Sequence, residues 1–422
     1  HWESAMRGVL RRVGGVPALR GLCGVSAVPP GASTVPPGTA VLDHPRNNVP
    51  LHISERIGRN LHLQPGHPLN TIRQRIEQYW KYRGFERGCD VDFFCASELP
   101  PIVSVQHNFD DLLIPKDHVS RRPSDTYYIN DEYVLRTHTS AHQSTLLREG
   151  HSAFLATGDV YRRDEIDRSH YPVFHQMEGV LMFGAEVGAD DPIVEEDLKI
   201  GLEGMARELF GDVEMRWVDA YFPFTDPSFE LEVFYEGDWL EVLGCGVIQQ
   251  DIIRQAGRGE ERGWAFGLGL ERLAMVLFGI PDIRLFWSKD PRFLSQFPVS
   301  GEIVKFEPYS KYPPCYKDVS FWLPEGAVVA SSDGEVVDEA EASSGVVFHP
   351  NDLCEVVRDA AQDIVEQIEL IDDFTHPKTQ RRSQCYRITF RHMDRNLTNA
   401  EVDEMQLQVR RSMVARLGVE LR

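Results

Sequence analysis

Alternation of apolar and polar residues dominates the middle of the chain, from about residue 154 to residue 268. It is clearest in SFELEVFYEGDWLEVLG, where Phe229, Leu231 and Val233 alternate with Glu230 and Glu232 before a Glu-Gly-Asp turn. A period of two is typical of strands with one buried face, and a short turn between two such runs indicates a hairpin. The pattern predicts an antiparallel sheet.

Two other stretches have apolar residues at helical spacing. The first follows a proline at position 68, a residue favoured in the first turn of a helix. Its apolar residues are Leu69, Ile72, Ile76, Tyr79 and Trp80, and those of the second stretch are Leu198, Leu202, Met205 and Leu209. The sequence therefore predicts an α+β domain in which helices flank the antiparallel sheet.

The composition changes after this sheet. Residues 297–312 are rich in Pro and Ser and lack periodicity, which predicts a linker. The rest reads as strand, helix, strand, strand and helix, with the apolar residues Leu353, Val357, Ala360 and Ile364 in its first helix. An acidic insert rich in Ser, Gly and Ala at 325–345 predicts a disordered loop. We expect one domain at 49–302 and another at 303–422.

Residues 1–48 form a predicted N-terminal extension. Its first 42 residues contain four arginines but a single acid, Glu3, among Pro, Gly, Ser and Ala. An Arg-rich, acid-poor start is typical of an organelle transit peptide, and a flexible extension is the alternative. The expected location is the mitochondrial matrix, the chloroplast stroma or both.

Charge and cysteine content exclude several classes of function. The 44 basic and 65 acidic residues give a net charge of −21, which argues against bulk binding of nucleic acid, so any RNA contact must be local. The seven cysteines are scattered without a C-x-x-C pair, so we expect reduced thiols and no zinc site. No apolar run is long enough to cross a bilayer, and no membrane partner is expected.

A polar hairpin is predicted at GDVYRRDEIDRSHYPVFHQMEG. We expect Arg162 and Asp164 on one face of its first strand, and Phe174, Gln176 and Glu178 on one face of its second. Because buried charges are costly without partners, such a cluster indicates a polar ligand with both positive and negative groups. A solvent-facing hairpin with ordinary ion pairs is the alternative.

A second motif, FGLGLERLAM, exposes backbone at Gly267 and Gly269 before a Glu-Arg pair opens a helical run. In this order, the two motifs resemble the second and third motifs of the class II aminoacyl-tRNA synthetases. The chain contains no G-x-x-x-x-G-K-[ST] loop, so ATP, if bound, must be held by this other architecture.

The stretch YFPFTDPSF places Phe222 and Phe224 on either side of Pro223, which we expect to hold the backbone extended with both rings on one side. Two such rings could contact a third ring edge to face, and core packing is the alternative. With FPFTDPS, THTSAHQ, FHQMEG and GWAFGLGLERLAM, the chain closely resembles the phenylalanyl-tRNA synthetase family in its single-chain organellar form, from about Leu61 to Arg422.

The resemblance implies roles for individual residues. The residues implied to bind phenylalanine are His138, Ser140, Gln176, Glu178, Phe222, Phe224 and Ala265. Those implied to bind ATP are Arg162, Asp164, Phe174, Glu241, Gly267, Gly269 and Arg272, of which Arg162, Arg272 and Glu241 would be catalytic. His138 and Ser140 are expected on one strand face. Mg²⁺ would accompany ATP near Glu241, with no metal site built from protein side chains alone.

The resemblance also implies a fold and a reaction. The fold is a class II synthetase catalytic domain followed by a ferredoxin-like α+β anticodon-binding domain. The reaction is activation of L-phenylalanine by ATP to phenylalanyl adenylate and pyrophosphate, then transfer to the 3′-terminal adenosine of tRNA(Phe) in organellar protein synthesis. A monomer is expected, and removal of residues 313–422 should spare activation while abolishing tRNA charging.

Two departures from the family pattern leave alternatives open. Asp164 stands where the class usually has Glu, and Gln106 and His107 stand where relatives often have an aromatic residue, so no substrate contact is assigned there. A catalytically inactive RNA-binding relative and an enzyme for another substrate are the rival hypotheses. Retention of the implied catalytic residues argues against the first, and the aromatic pair argues against the second.

A basic segment in the second domain predicts the RNA contact. Between His376 and Arg395 the only acid is Asp394, and Tyr386, Phe390 and His392 are available to stack or pack. The basic residues predicted to bind tRNA are Lys378, Arg381, Arg382, Arg387 and Arg391. A solvated basic strand is the alternative.

Overall fold

The computed structural model describes residues 44–86, 91–185, 188–308, 312–329 and 347–422. The predicted extension as far as residue 43 and the predicted insert from residue 330 lie outside these ranges, as do Cys23 and Cys89. The described residues include a seven-stranded and a four-stranded sheet, each with its own hydrophobic core. No helix in these ranges is long and apolar enough to cross a membrane.

The helices and strands follow the chain in this order. The α-helices are α1 (Leu51–Ser54), α2 (Pro68–Glu86), α3 (Val105–Asn108), α4 (Gln143–Arg148), α5 (Asp191–Phe210), α6 (Gln250–Gln255), α7 (Leu270–Phe278), α8 (Pro291–Leu294), α9 (Pro350–Ala361) and α10 (Asn399–Leu417). The strands of the first domain are β1 (Phe94–Ala96), β2 (Ile102–Ser104), β3 (Tyr133–Leu135), β4 (Ala153–Tyr161), β5 (Val173–Phe183), β6 (Met215–Phe222), β7 (Thr225–Tyr235), β8 (Asp238–Ile248) and β9 (Arg262–Gly269). Those of the second domain are β10 (Cys315–Trp322), β11 (Val328–Val329), β12 (Val347–Phe348), β13 (Val365–Thr375), β14 (Arg382–Phe390) and β15 (Glu420–Leu421).

The large sheet has the strand order β1-β4-β5-β9-β8-β7-β6. Only the β1–β4 pair is parallel, so the predicted antiparallel sheet is confirmed. The predicted β7–β8 hairpin turns at Glu236 and Gly237, which both have positive φ. Backbone of this kind matches the twist of the flanking strands in a two-residue turn.

Helices α2 and α5 cover one face of this sheet, and on the other face α4 and α6 cover one part and leave a cleft beside it. Helix α2 begins at Pro68 as predicted, and its Leu69, Ile72, Ile76 and Trp80 are fully buried. The Trp80 ring lies 5.3 Å from that of Trp264 and 5.4 Å from that of Phe266, both on β9. The predicted apolar face of α5 is also buried in this layer.

The second domain has the strand order β13-β14-β10-β15, with α9 and α10 packed on one face. With its elements in the order strand, helix, strand, strand, helix, strand, this is a ferredoxin-like α+β arrangement. The predicted elements are confirmed with one change. Helix α9 ends at Ala361, and Ile364 lies in a following 3₁₀ turn instead of in the helix.

The predicted linker has no helix or strand between residues 300 and 308, yet it packs against the first domain. Ile303 and Phe306 pack against the first core, and the Phe306 N–H donates to the carbonyl of Phe278 at 2.6 Å. The two domains also share a contact that composition did not predict. Ile166, from the polar hairpin of the first domain, is 6% exposed and lies in the core of the second.

A buried ion pair joins the end of β3 to β4. Arg136 donates to the Asp159 carboxylate at 2.7 Å and to its carbonyl at 2.6 Å, and the Tyr161 hydroxyl donates to the same carboxylate at 2.6 Å. Arg136 and Asp159 are each 1% exposed. Since removal of one partner leaves an uncompensated buried charge, this pair fixes where the chain leaves β3.

We expect Asp159→Asn to destabilise the first domain by about 3–5 kcal/mol, because the Arg136 guanidinium would then be buried without a counter-charge. The measurement is the thermal or urea midpoint followed by tryptophan fluorescence. Asp318→Asn is the matched control, since its arginine partner, Arg387, is solvent-exposed at 43% of its side chain. Equal shifts in the two variants would contradict this role of the buried pair.

Candidate active site

A cavity of about 690 Å³ opens on the face of the large sheet opposite α2 and α5. Most of the predicted site residues line it: His138, Ser140, Arg162, Asp164, Gln176, Glu178, Phe222, Phe224, Glu241, Ala265 and Gly267. Phe174, Gly269 and Arg272 are not among the lining residues but lie next to them. The predicted residues are therefore brought to one opening.

Arg162 lies immediately after β4, which ends at Tyr161, so the prediction that Arg162 and Asp164 occupy a strand face is wrong. The Nε of Arg162 donates to the carbonyl of Thr137 at 2.9 Å, and its guanidinium lies 5.2 Å from the centre of the Phe174 ring. These contacts hold the guanidinium plane. Within the described residues, its two terminal nitrogens have no hydrogen-bond partner and are available for an anionic ligand.

His138 and Ser140 also depart from prediction. His138 precedes a 3₁₀ helix, Thr139–His142, so the two residues lie on a helical turn and not on a strand face. Burial lowers the pKa of His138 to about 3, and the charge of Arg162 acts in the same direction. The imidazole is therefore neutral at physiological pH.

Glu178 is the strongest single signal of a ligand in the cavity. It is 2% exposed, and neither carboxylate oxygen has a hydrogen-bond partner of normal geometry among the described residues. Burial raises its pKa to about 8, against a smaller opposing effect of the Ser140 hydroxyl. A buried carboxylate without a partner is costly, which indicates that a cationic group completes this site.

The two phenylalanines form an aromatic wall, by a route different from that predicted. Pro223 and Phe224 form the turn between β6 and β7, with Phe222 paired to Thr225, so this backbone is not extended. The rings of Phe222 and Phe224 are 5.8 Å apart and nearly parallel, at 9°. Gly244 leaves room for the first ring, since a Cβ there would lie 2.7 Å from the Phe222 Cζ.

The polar end of the cavity carries paired charges. Arg272, at the start of α7, donates to Glu241 at 3.1 Å.

Sequence reasoning missed Glu230, which lines the cavity and whose pKa is raised by burial and by the neighbouring Glu241. The strand alternation could have revealed it, had the cross-strand register been known. Among the described residues, no three His, Cys, Asp or Glu side chains form a group that could hold a metal.

Gly267 and Gly269 leave backbone facing open space, because a Cβ added at either position would meet no atom within 4 Å. Gly267 pairs with Glu178 and Gly269 with Gln176 across β5 and β9. The glycines therefore form a flat floor beside these two polar side chains.

The Glu of the Glu-Arg pair has a separate role, which sequence reasoning also missed. Glu271 is 2% exposed; it accepts from the N–H of His175 at 2.7 Å and its other oxygen lies 2.7 Å from His175 Nδ1. It thus continues the β5–β9 connection where β9 becomes α7. The contact between Glu271 and His175 holds the neighbouring Arg272 in position relative to Gln176.

The basic residues predicted to bind tRNA are largely neutralised within the second domain. Of the five, four arginines form ion pairs: Arg381 with Glu420, Arg382 with Asp373, Arg387 with Asp318 and Arg391 with Glu366. Lys378 is exposed. Tyr386 and Phe390 are buried in the core and cannot stack on a base. The local charge is therefore weaker than the sequence suggested.

The uncovered face of this four-stranded sheet carries other aromatic residues. The guanidinium groups of Arg381 and Arg422 each lie 5.2 Å from the centre of the Trp322 ring. The centre of the His376 ring lies 6.3 Å from the centres of the Trp322 and Phe374 rings. Nothing in local periodicity distinguishes these residues from core aromatics.

Comparison with known proteins agrees with this geometry. Residues 54–297 match the family described as tRNA synthetases class II core domain (F), and residues 310–422 match the ferredoxin-fold anticodon binding domain. The chain is similar to the phenylalanine–tRNA ligase, chloroplastic/mitochondrial, of Arabidopsis thaliana, with 53% identity over 90% of this chain and 84% of the relative. It is also similar to the mitochondrial phenylalanine–tRNA ligase of Mus musculus, with 45% identity over 93% and 89%. The chain therefore belongs to the phenylalanine–tRNA ligases, a family of class II aminoacyl-tRNA synthetases.

Proposed function

We propose that this chain activates L-phenylalanine with ATP and transfers it to the 3′-terminal adenosine of tRNA(Phe) in an organelle. The observation that carries the proposal is the unpaired Glu178 carboxylate, placed in one cavity with an aromatic pair and an arginine whose terminal nitrogens are free for a ligand. An amino acid with an aromatic side chain has the matching ammonium, ring and carboxylate. The similarity to organellar relatives supports the location.

Phenylalanine would place its ring against Phe222 and Phe224 and its ammonium at Glu178 and Gln176. Its carboxylate would then lie toward Arg162, with His138 and Ser140 nearby. Ala265, 7% exposed, lines the same cavity as the two rings and would limit the length of the ring that fits. Since an apolar pocket rejects an added hydroxyl by only about a hundredfold, exclusion of tyrosine depends on this limit.

ATP would lie on the floor of Gly267 and Gly269, with its α-phosphate at Arg162 and its outer phosphates at Arg272. Mg²⁺ would enter as part of the MgATP substrate, where it neutralises phosphate charge. The adjacent carboxylates of Glu241 and Glu230 supply the hard oxygen donors that suit this ion. Asp164 is shorter than the usual Glu by one methylene, so its carboxylate reaches less far toward the nucleotide.

The chemistry requires no base from the protein. The carboxylate of the bound amino acid attacks the α-phosphorus, and pyrophosphate leaves. The contribution of the chain is to position both substrates and to stabilise negative charge that develops on the α-phosphate, for which a planar guanidinium with two free nitrogens is suited.

For tRNA, we propose the open sheet face of the second domain as the contact surface. Trp322, Phe374 and His376 offer rings for unpaired bases, and Arg381 and Arg422 add charge beside them. Arg382, Arg387 and Lys378 border the same region in sequence. We propose a monomer, as expected for an organellar form with a fused anticodon-binding domain.

The test of the function is ATP–pyrophosphate exchange with each of the twenty amino acids. We expect exchange with phenylalanine, and loss of about 10² to 10³ in rate in Arg162→Ala, because the donors to the α-phosphate are removed. Arg254→Ala, at an exposed arginine outside the cavity, should leave the rate unchanged. A folded Arg162→Ala variant with normal exchange would contradict the role of Arg162, and exchange with another amino acid alone would contradict the substrate.

A second expectation concerns pH. Because the pKa of Glu178 is raised to about 8 in the free site, bound ammonium must displace a proton from it at lower pH. The Kd for phenylalanine should therefore fall about tenfold per pH unit from pH 6 to 7 and level off above pH 8. Glu178→Gln should bind weakly with little pH dependence, whereas Glu232→Gln, outside the cavity, should keep the normal profile. Calorimetry in buffers of different ionisation enthalpy would detect the released proton; its absence would count against this site.

A third expectation concerns the second domain. Trp322→Ala should raise the KM for tRNA in aminoacylation, with a loss equivalent to about 1–3 kcal/mol if its ring stacks on a base, and should not change pyrophosphate exchange. Trp239→Ala, which removes a tryptophan beside Arg216 on the first domain, is the control. An unchanged KM for tRNA in Trp322→Ala would exclude this face as the contact surface.

A further inference from the structure

The segment that follows the catalytic arginine, residues 163–166, is held by the second domain. Four consecutive carbonyl groups of this segment accept hydrogen bonds from residues of the second domain. The Nδ2 of Asn351 donates to the carbonyl of Arg163 at 3.2 Å, and the backbone N–H of Ile368 donates to that of Ile166 at 2.9 Å. Arg358 donates to the two carbonyls between them, those of Asp164 and Glu165, at 2.5 Å each.

Arg358 is built into this position. It lies on α9, is 5% exposed, and its other terminal nitrogen donates to Glu355 at 2.8 Å. Glu355 in turn accepts from the hydroxyl of Tyr127, in the first domain, at 2.8 Å. A buried guanidinium needs partners for its donors, and the loop carbonyls supply part of them, so the loop conformation and the position of α9 depend on each other.

Side chains of the same segment strengthen the connection. Ile166 inserts into the core of the second domain. Arg163 pairs with Asp352 at 2.9 Å, and a little further along the chain Arg168 pairs with Glu366 at 2.6 Å.

Among the described residues, the first domain contacts this segment at Arg163, whose side chain donates to the carbonyl of Pro123 at 2.5 Å, and at the residues that flank it. The backbone N–H groups of Arg162 and Arg163 donate to the carbonyls of Pro172 and Asp125, and the carbonyl of Arg168 accepts from Ile283. Between these points, the described hydrogen bonds to the carbonyls of residues 163–166 come from the second domain. The backbone of Asp164 therefore depends on the second domain for its position, and Arg162 directly precedes the segment that this domain holds.

We propose that the second domain is a positioning element for amino-acid activation, with Arg358 as its principal positioning residue. This inference rests on the proposed function of Arg162 at the α-phosphate and adds a requirement to it. The docked second domain holds the loop in the geometry that binds ATP, so activation depends on this domain before tRNA takes part. The expectation that removal of residues 313–422 spares activation would then not hold.

The test is pyrophosphate exchange by the full chain carrying Arg358→Gln, with no tRNA in the assay, so that a role of the second domain in tRNA binding cannot contribute. We expect kcat/KM for ATP to fall on the order of ten- to a hundredfold, since a small displacement of a catalytic group has an effect of this size. The KM for phenylalanine should change less than that for ATP, because Gln176, Glu178 and the aromatic wall lie on other elements and only its carboxylate lies toward Arg162. Arg358→Lys should recover part of the loss, as an ammonium can donate to the same carbonyls.

Arg411→Gln is the control, since Arg411 is an exposed arginine on α10 of the same domain, away from the loop. Its kcat/KM for ATP and its KM for phenylalanine should equal those of the unmodified chain. A purely structural role of Arg358 would lower the fraction of active enzyme with both KM values unchanged, and that result would overturn the proposal. So would normal ATP kinetics in a folded Arg358→Gln variant.

If Arg358→Gln does not fold, Ile166→Ala tests the same connection from the loop side and should show the same selective loss for ATP. Hydrogen exchange provides a readout that is independent of activity. Amides of residues 163–168 should exchange faster in Arg358→Lys or Ile166→Ala than in Arg411→Gln, and equal protection would refute the proposal. If the unmodified chain shows no phenylalanine-dependent exchange, the proposed function fails, whereas the exchange protection of the loop still decides the positioning role.

Discussion

Strands β5 and β9 must serve two opposite environments, and the rest of the structure depends on how they do so. Met177, Trp264 and Phe266 point to the layer of helices, while Gln176, Glu178 and Ala265 point to the cleft. Because side chains alternate between faces, a register slip of one residue would turn the apolar side chains toward the cleft and the polar side chains toward the layer of helices. The observed register, Glu178 opposite Gly267, sets a carboxylate beside bare backbone. Trp80 and its neighbours on α2 then enforce that register, since only the apolar face can pack there.

The charges of the cleft are arranged before any substrate arrives. His138 is neutral, the carboxyl of Glu178 is largely protonated below its raised pKa, and Arg272 is paired with Glu241. Arg162 is held by the Thr137 carbonyl and the Phe174 ring, so little reorganisation remains for the moment of reaction. Substrates of complementary charge would satisfy groups that the folded chain leaves incomplete, which is how binding energy can be directed to the reacting atoms.

The loop at residues 163–166 both lies at the cavity and forms the contact between the domains. Ile166 belongs to one domain by sequence and to the core of the other by packing. Four carbonyls, the buried Arg358 and several ion pairs make this contact more polar than either core. An interface of this kind can be specific in geometry without being large and apolar.

The sequence by itself determined the strands between about residues 154 and 268, the main helices and the glycine floor, and most of the predicted site residues lie at the cavity. Each of these rests on a local rule, either alternation, helical spacing or the freedom of glycine, and a family resemblance supplied the roles. The tertiary structure alone decided the turn at Pro223, the 3₁₀ position of Ser140, the burial of Tyr386, and the pairs that join Glu271 to His175 and Arg387 to Asp318. It also decided that Arg358 donates to the carbonyls of Asp164 and Glu165. The reason is physical: periodicity reports which face of an element a residue occupies, but which distant residue meets that face depends on sheet register and domain docking, which no local pattern encodes.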